Sequence, residues 1–205
     1  VSVWVMLQYF VSIATWFSFF LIIEQTGERN LAISNIIRSI YMILIIPGFG
    51  FATAVNTLVS NSIGENGTKF VIPIIRKTVG LTFVISLLVM GITLLVPEWI
   101  IRVYTDSRVL IEASVPVLYV VNGALPLLSL SIVIFFGLRG TGHTRISMII
   151  EFITAFCYLI YVYLLSNVFF VNVAWVWTSE YIYMFFLGLL SVLYFSSGKW
   201  KRKVI

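Results

Sequence analysis

Apolar residues run almost unbroken along this chain, and short polar or glycine-rich stretches divide them into six runs, at about 2–23, 31–59, 79–97, 109–137, 146–166 and 174–195. A hydrocarbon core of about 30 Å needs roughly 20 helical residues, and each run has about that length or more. Inside lipid the backbone must satisfy its own hydrogen bonds, which leaves helices or closed barrels. The runs are continuous rather than alternating, so a transmembrane β-barrel is excluded. The pattern predicts an all-α polytopic membrane protein, a single six-helix transmembrane bundle over 1–205.

Composition strengthens that reading. Of the 205 residues 60% are hydrophobic and 10% charged, against about half and a quarter in a soluble domain. Cys157 is alone, so no disulfide framework is expected. The opening "VSVWVMLQYF" carries neither an initiator methionine nor a charged leader. It does not read as a signal peptide; it reads as a cut through the start of a membrane helix, and the chain is expected to be a piece of a longer one.

Charge sets the expected orientation. The tail "KWKRKVI" carries Lys199, Lys201, Arg202 and Lys203, which the positive-inside rule assigns to the cytoplasm. An even number of spans then puts both ends there. With that choice Lys69, Arg76, Lys77, Arg139 and Arg145 fall on the same side as the tail, while only Arg29, Arg102 and Arg108 fall outside. The net charge of +5 therefore reflects orientation and anionic lipid, and no nucleic-acid partner is implied. The outer stretch "PEWIIRVYTDSR" holds a Trp and a Tyr suited to the interface and predicts a short surface helix.

The cytoplasmic turn "FFGLRGTGHTRIS", Phe135 to Ser147, concentrates polar residues between two apolar runs. Gly137 and Gly140 are expected to end a helix, Gly142 to reverse the chain, and Thr144 to cap the next helix. Arg139 is expected to bond the last carbonyls of its own helix, and the fourth and fifth spans to be antiparallel neighbours.

The same stretch, Leu138-Arg139-Gly140-Thr141-Gly142-His143-Thr144, resembles the "L-R-G-x-G-D-T" turn of multidrug and toxic compound extrusion (MATE) transporters. Three further pieces are similar to that family in the same order. They are Leu31-Ala32-Ile33-Ser34-Asn35 followed by Pro47-Gly48-Phe49-Gly50, then Ser62-Ile63-Gly64-Glu65-Asn66-Gly67, then Tyr104-Thr105-Asp106. The resemblance spans essentially the whole chain as the carboxy-terminal half of a twelve-helix transporter. It implies one lobe of a V-shaped pair of six-helix repeats around a cavity open alternately to either side. The partners it implies are the lipid bilayer of a bacterial inner membrane, small amphipathic or cationic substrates, and a missing amino-terminal six-helix half. A lipid-linked polysaccharide flippase of the same superfamily is the alternative.

The chain departs from the family at the ion site. Many members carry a cation-binding Glu in the seventh helix and an Asp in the tenth. Those positions fall near Val11 or Ser12 and near Leu128 or Ser129, none of them acidic. The coupling ion, Na+ or H+, is therefore expected in the missing half. Glu24 lies close to the outer end of its helix and is not a substitute. No other cofactor and no metal site is expected.

Charge inside the bilayer is expensive and marks candidate functional residues. Arg38 lies seven residues past Leu31, roughly 10 Å deep, and Glu180 six past Ala174, roughly 9 Å deep. Equal depth makes them an expected pair, with Glu112 a rival partner for Arg38. Arg38 is either a charge on the cavity wall or a snorkelling or inter-helix tie. Glu151 is expected to pair with Arg145 or Arg139 near the cytoplasmic surface. Gln8, Asn35, Asn56 and Asn122 are uncharged polar residues within spans; the resemblance makes Gln8 and Asn35, with Arg38 and Glu180, the substrate-cavity candidates. His143 stands where the family's turn has Asp and is expected to be solvated. Pro47 with Gly48 and Gly50, and Pro126 with Gly123, are expected to interrupt two spans, which with Gly142 makes Pro47, Gly48, Pro126 and Gly142 hinge candidates. One histidine and no intramembrane aspartate leave nothing for intramembrane catalysis, so no catalytic residues are expected.

Overall fold

The computed structural model describes residues 2–201; Arg202 and Lys203 of the basic tail lie outside the described residues. Helices α1 (Ser2–Glu24), α2 (Glu28–Leu44), α3 (Ile46–Asn66), α4 (Val71–Leu95), α5 (Pro97–Arg102), α6 (Arg108–Gly140), α7 (Thr144–Tyr163), α8 (Val173–Val176) and α9 (Ser179–Ser196) follow in order. Five stretches are long and apolar enough to cross a membrane alone, and α2 with α3 makes a sixth, bent by 45°.

The bend follows from Pro47. Its missing N–H and ring disfavour a continuous helix, so α2 ends and α3 restarts with Pro47 in its first turn, where a proline costs least. Pro126 behaves differently. The expectation that it interrupts a span is corrected: α6 runs unbroken through both Pro116 and Pro126. Ser129 donates its hydroxyl to the Pro126 carbonyl at 2.7 Å.

Three further expectations are corrected by local geometry. The third span begins at Val71, eight residues before 79, because Gly67 (φ 67°) closes α3 and a four-residue 3-10 turn leads straight into α4. Pro73 is tolerated there as a first-turn residue, and Arg76 and Lys77 therefore sit on helix α4 rather than in a loop. Gly137 lies inside α6, whereas Gly140 is its last residue; neither takes the left-handed geometry expected of a helix-ending glycine, and only Gly142 of the three takes positive φ, at 86°. Their small size serves packing instead: a Cβ on Gly140 would stand 2.6 Å from the Asn56 carbonyl oxygen, and one on Gly137 2.7 Å from Ile75. Thr144 is the first residue of α7, whose N-cap is His143, and no side chain caps that end.

Helix α6, the most buried span, runs through the centre. Helices α3 and α4 pack on it from one side and α9 from another, while α7 lies against α9 and α1 against α7. The fourth and fifth spans are therefore not packed neighbours along their length: α6 and α7 touch little, with α9 taking the place beside α6. The sequence shows that the chain reverses at Gly142 but not which helix fills the gap. The outward stripe of α1, including Val3, Met6 and Phe10, is exposed, as suits a lipid-facing helix. The sixth apolar run is split at Trp177 and Thr178 between α8 and α9, and α5 is the short surface helix expected after the third span.

Candidate functional site

A cavity of about 670 Å³ opens between α1, α2, α6, α7 and α9. Gln8, Asn35, Arg38 and Glu180 all face it, and so does Glu151. The bend after α2 helps to shape it, for Ile45 and Phe49 line it on either side of Pro47. One wall is aromatic. Trp16 stacks on Phe20 with centroids 6.0 Å apart and on Tyr41 at 6.1 Å, and Trp177 packs edge-on to Phe19 at 5.1 Å. Trp177 reaches this layer because it sits at the break between α8 and α9, where its indole N–H donates to the Ser34 hydroxyl on α2 at 3.1 Å.

The expected Arg38–Glu180 ion pair does not form, and neither does a pair with Glu112. Arg38 lies over the Phe20 ring, its guanidinium carbon 4.8 Å from the centroid. Among the described residues no carboxylate comes within 4.0 Å of it. Glu112 is exposed and bonded to Arg108 one turn away on α6, at 2.9 Å. Glu180, 4% exposed, is held by two phenols: Tyr41 donates to one oxygen at 2.9 Å and Tyr158 to the other at 3.3 Å. Depth along a span says nothing of direction around a helix, and the tyrosines stand closer.

Glu151 is corrected in the same way. It does not meet Arg145 or Arg139; it is 2% exposed inside the bundle, where Ser12 donates to it at 2.5 Å and Tyr183 also bonds it. Arg139, against expectation, donates neither to the carbonyls at its own helix end nor to a carboxylate: both of its terminal nitrogens donate to the Tyr9 hydroxyl at 3.2 Å, with the guanidinium carbon 4.6 Å from the Phe136 centroid. Arg145 lies over Trp4. Arginine stacks readily on aromatic faces because its guanidinium is planar and weakly hydrated, so α1 ties the turn through its tyrosine and tryptophan.

The two glutamates are thus linked crosswise. Glu151 and Tyr158 are two turns apart on α7, and Glu180 and Tyr183 one turn apart on α9, so each pair shares a helix face. Each carboxylate takes the tyrosine of the other helix. Sequence reasoning missed Ser12, Tyr41, Tyr158 and Tyr183. The spacing of glutamate and tyrosine on the fifth and sixth runs was the available clue, masked by the general abundance of aromatics.

The remaining candidates lie away from the cavity or at its edge. Asn122 donates to the Met90 carbonyl at 3.1 Å, a tie between α6 and α4. Gly48 packs against Leu128, where a Cβ would stand 3.0 Å from the leucine methyl. His143 is half-buried at the turn, its ring 5.7 Å from that of Tyr194 and its Nδ1 3.0 Å from the Thr141 hydroxyl. Burial pushes this imidazole below its usual pKa, and a hydrogen bond with the Thr141 backbone offsets part of that.

The MatE family model matches residues 4–164. The chain belongs to the MatE family. Its MatE relatives include the probable multidrug resistance protein NorM of Thermotoga maritima, 29% identical over 160 residues, covering 78% of this chain and 34% of that protein. A solved MATE structure in complex with MaD3S superposes with a TM-score of 0.86 at 13% identity, over 100% of this chain and 46% of that one. A MOP superfamily transporter from Pyrococcus furiosus Vc1, whose binding pocket is described as of reverse polarity, gives 0.79 at 13% identity over 94% of this chain and 42% of that one. These likenesses establish the MatE fold and a multi-pass membrane protein. The chain spans about a third of the length of the NorM relative and under half of the solved MatE chains.

Proposed function

We propose that this chain is the carboxy-terminal lobe of a cation-coupled secondary antiporter that exports amphipathic compounds by alternating access across a bacterial inner membrane. The observation that carries this reading is the cavity itself: a largely aromatic and aliphatic wall, with Gln8, Asn35, Arg38, Glu151 and Glu180 among its polar groups. A largely apolar site with sparse, placed polar groups suits a flat amphipathic guest, and the Phe20–Trp16–Tyr41 stack offers faces to a cationic one. Arg38 already covers Phe20, so a cationic substrate would displace it from that ring.

One observation favours the flippase alternative: among the described residues Arg38 has no carboxylate within 4.0 Å, and it is the cationic side chain among those that line the cavity. A lipid-linked sugar phosphate would supply the missing anion. The test is ethidium efflux by the full-length protein in cells lacking other dye pumps. The antiporter reading expects efflux that collapses with the ion gradient and strengthens for cations in Arg38→Gln. The flippase reading expects no dye efflux, and loss of lipid-linked sugar export in the same variant.

A further inference from the structure

We propose that the lipid-facing side of α4 carries a binding site for one anionic phospholipid, its phosphate held by Arg76 and Lys77 and one acyl chain seated in a notch at Gly80. An open groove of about 730 Å³ runs along α4, with Pro73, Arg76, Lys77, Gly80, Leu81 and Val84 in its lining. Helix α4 packs on α3 and α6 and buries Val71, Ile75 and Thr82. At about 3.6 residues per turn those three share one face, and Pro73, Lys77, Gly80 and Val84 share the opposite one. Among the described residues none from α4 lines the cavity between α1, α2, α6, α7 and α9, so a second lobe closing over that cavity leaves this groove to lipid.

Charge selects the occupant. From Glu65 to Val84 the chain holds three basic residues, Lys69, Arg76 and Lys77, against the single acid Glu65. Arg76 and Lys77 are exposed, and among the described residues neither has a carboxylate within 4.0 Å. Nor does either lie over an aromatic ring there, as Arg38, Arg139 and Arg145 do. Two adjacent cations on an apolar face favour an anion between them. Arg76 stands four residues before Gly80 and Lys77 three, so both lie one turn from it, on either side. Side chains on a helix lean towards its N-terminus, which for α4 is the cytoplasmic end in the orientation expected from the basic residues. The two cations therefore reach back to headgroup level, and the groove continues past Gly80 into the hydrocarbon. Gly80 leaves it open, for a Cβ there would meet nothing within 4 Å. The rise from Ile72 to Val84 is roughly 18 Å, close to one leaflet of a core about 30 Å thick. A phosphodiester suits the planar fork of Arg76, with Lys77 as a second positive charge. A zwitterionic headgroup brings its own cation and gains less from the pair.

Lipid binding is measured without transport. The full-length protein in detergent would be titrated with dioleoyl phosphatidylglycerol or dioleoyl phosphatidylcholine, and bound lipid counted by native mass spectrometry. Wild type is expected to bind phosphatidylglycerol about thirtyfold more tightly, the size expected from two basic residues at a headgroup. Arg76→Gln combined with Lys77→Gln should remove that preference. Gly80→Leu keeps every charge and fills the notch; it should weaken phosphatidylglycerol binding about tenfold, as when about two methylenes lose apolar contact. Gly91→Leu lies eleven residues on along the same helix face, where a Cβ also meets nothing within 4 Å, and should leave binding unchanged. Equal affinity of wild type for the two lipids, or a preference retained by the double variant, would overturn the proposal. Wild-type binding by Gly80→Leu, or an equal loss in Gly91→Leu, would overturn it too, leaving only a diffuse attraction of basic residues to an anionic surface. Gly80 is exposed, so its variant decides the matter even should the double variant not fold.

Discussion

At the scale of single residues, the cavity wall depends on carboxylates held by phenols rather than by cations. A hydrogen bond to a charged group contributes about 1.5–3 kcal/mol in water-soluble proteins, and inter-helix bonds in membranes average about 0.6 kcal/mol. Tyr41→Phe strips one oxygen of Glu180 of its donor, and we expect a loss of about 1–2 kcal/mol, between those bounds, seen as a lower unfolding temperature in detergent. A double-mutant cycle with Glu180→Gln should show the two changes to be coupled; additive effects would remove the bond from the account. The sequence made Glu180, Arg38, Gln8 and Asn35 visible because polar side chains stand out against a lipid-soluble background, and all four face the cavity. It misdirected their pairing. Residue number along a span reports depth, but the partner depends on rotation about the helix and on which helices adjoin. That information resides in the packing around α6, where α9 rather than α7 takes the adjoining place.

At the scale of elements, glycines decide how closely helices approach. A methyl group on Gly140 meets the backbone carbonyl of Asn56 at 2.6 Å, which cannot rotate away, whereas one on Gly50 meets nothing within 4 Å. Overpacking costs about 1–3 kcal/mol, while Gly→Ala at an open helical position gains about 0.4–1 kcal/mol. Gly140→Ala should therefore lower the unfolding temperature and Gly50→Ala raise it; equal effects would refute the close α3–α6 crossing. The turn after α6 carries a second expectation. His143 has a lowered pKa through burial, so the folded state favours the neutral ring. The stability it supports is present above the unfolded value near 6.5 and is lost as pH falls towards the lower folded value. His143→Asn should flatten the dependence of unfolding temperature on pH over that acidic window. The six apolar runs and the surface helix α5 were legible because membrane length and hydropathy leave little freedom. The start of α4, the place of Gly137 inside α6 and the continuity of α6 through Pro126 were not. Each depends on a neighbour, as in the fit of Asn56 against Gly140, that no local pattern contains.

At the scale of the whole molecule, orientation and completeness remain linked. Cys157 is the one cysteine of these 205 residues, so a Cys157→Ser background allows single-cysteine labelling of this chain. Cysteines at Thr68 and Ser197 should react with a membrane-impermeant maleimide only from the cytoplasm, and one at Thr105 only from outside; the reverse pattern would invert the topology. Completeness follows from the cavity rather than from the exposed apolar stripes, because lipid can cover Val3, Met6 and Phe10 without cost. Arg38 and Asn35 are only half-buried at the cavity edge, and at about 10 Å depth contact of such groups with acyl chains is costly. A second lobe presenting polar groups or enclosing water would relieve that cost. We therefore expect the 205-residue chain alone to insert into the membrane yet give no dye efflux in vesicles, and co-expression with an amino-terminal six-helix half to restore it. Efflux by the isolated chain would require two copies to face one another across the cavity, and cross-linking of a cysteine at Arg38 to its counterpart would then identify that dimer. Efflux without such a cross-link would refute the need for a second lobe.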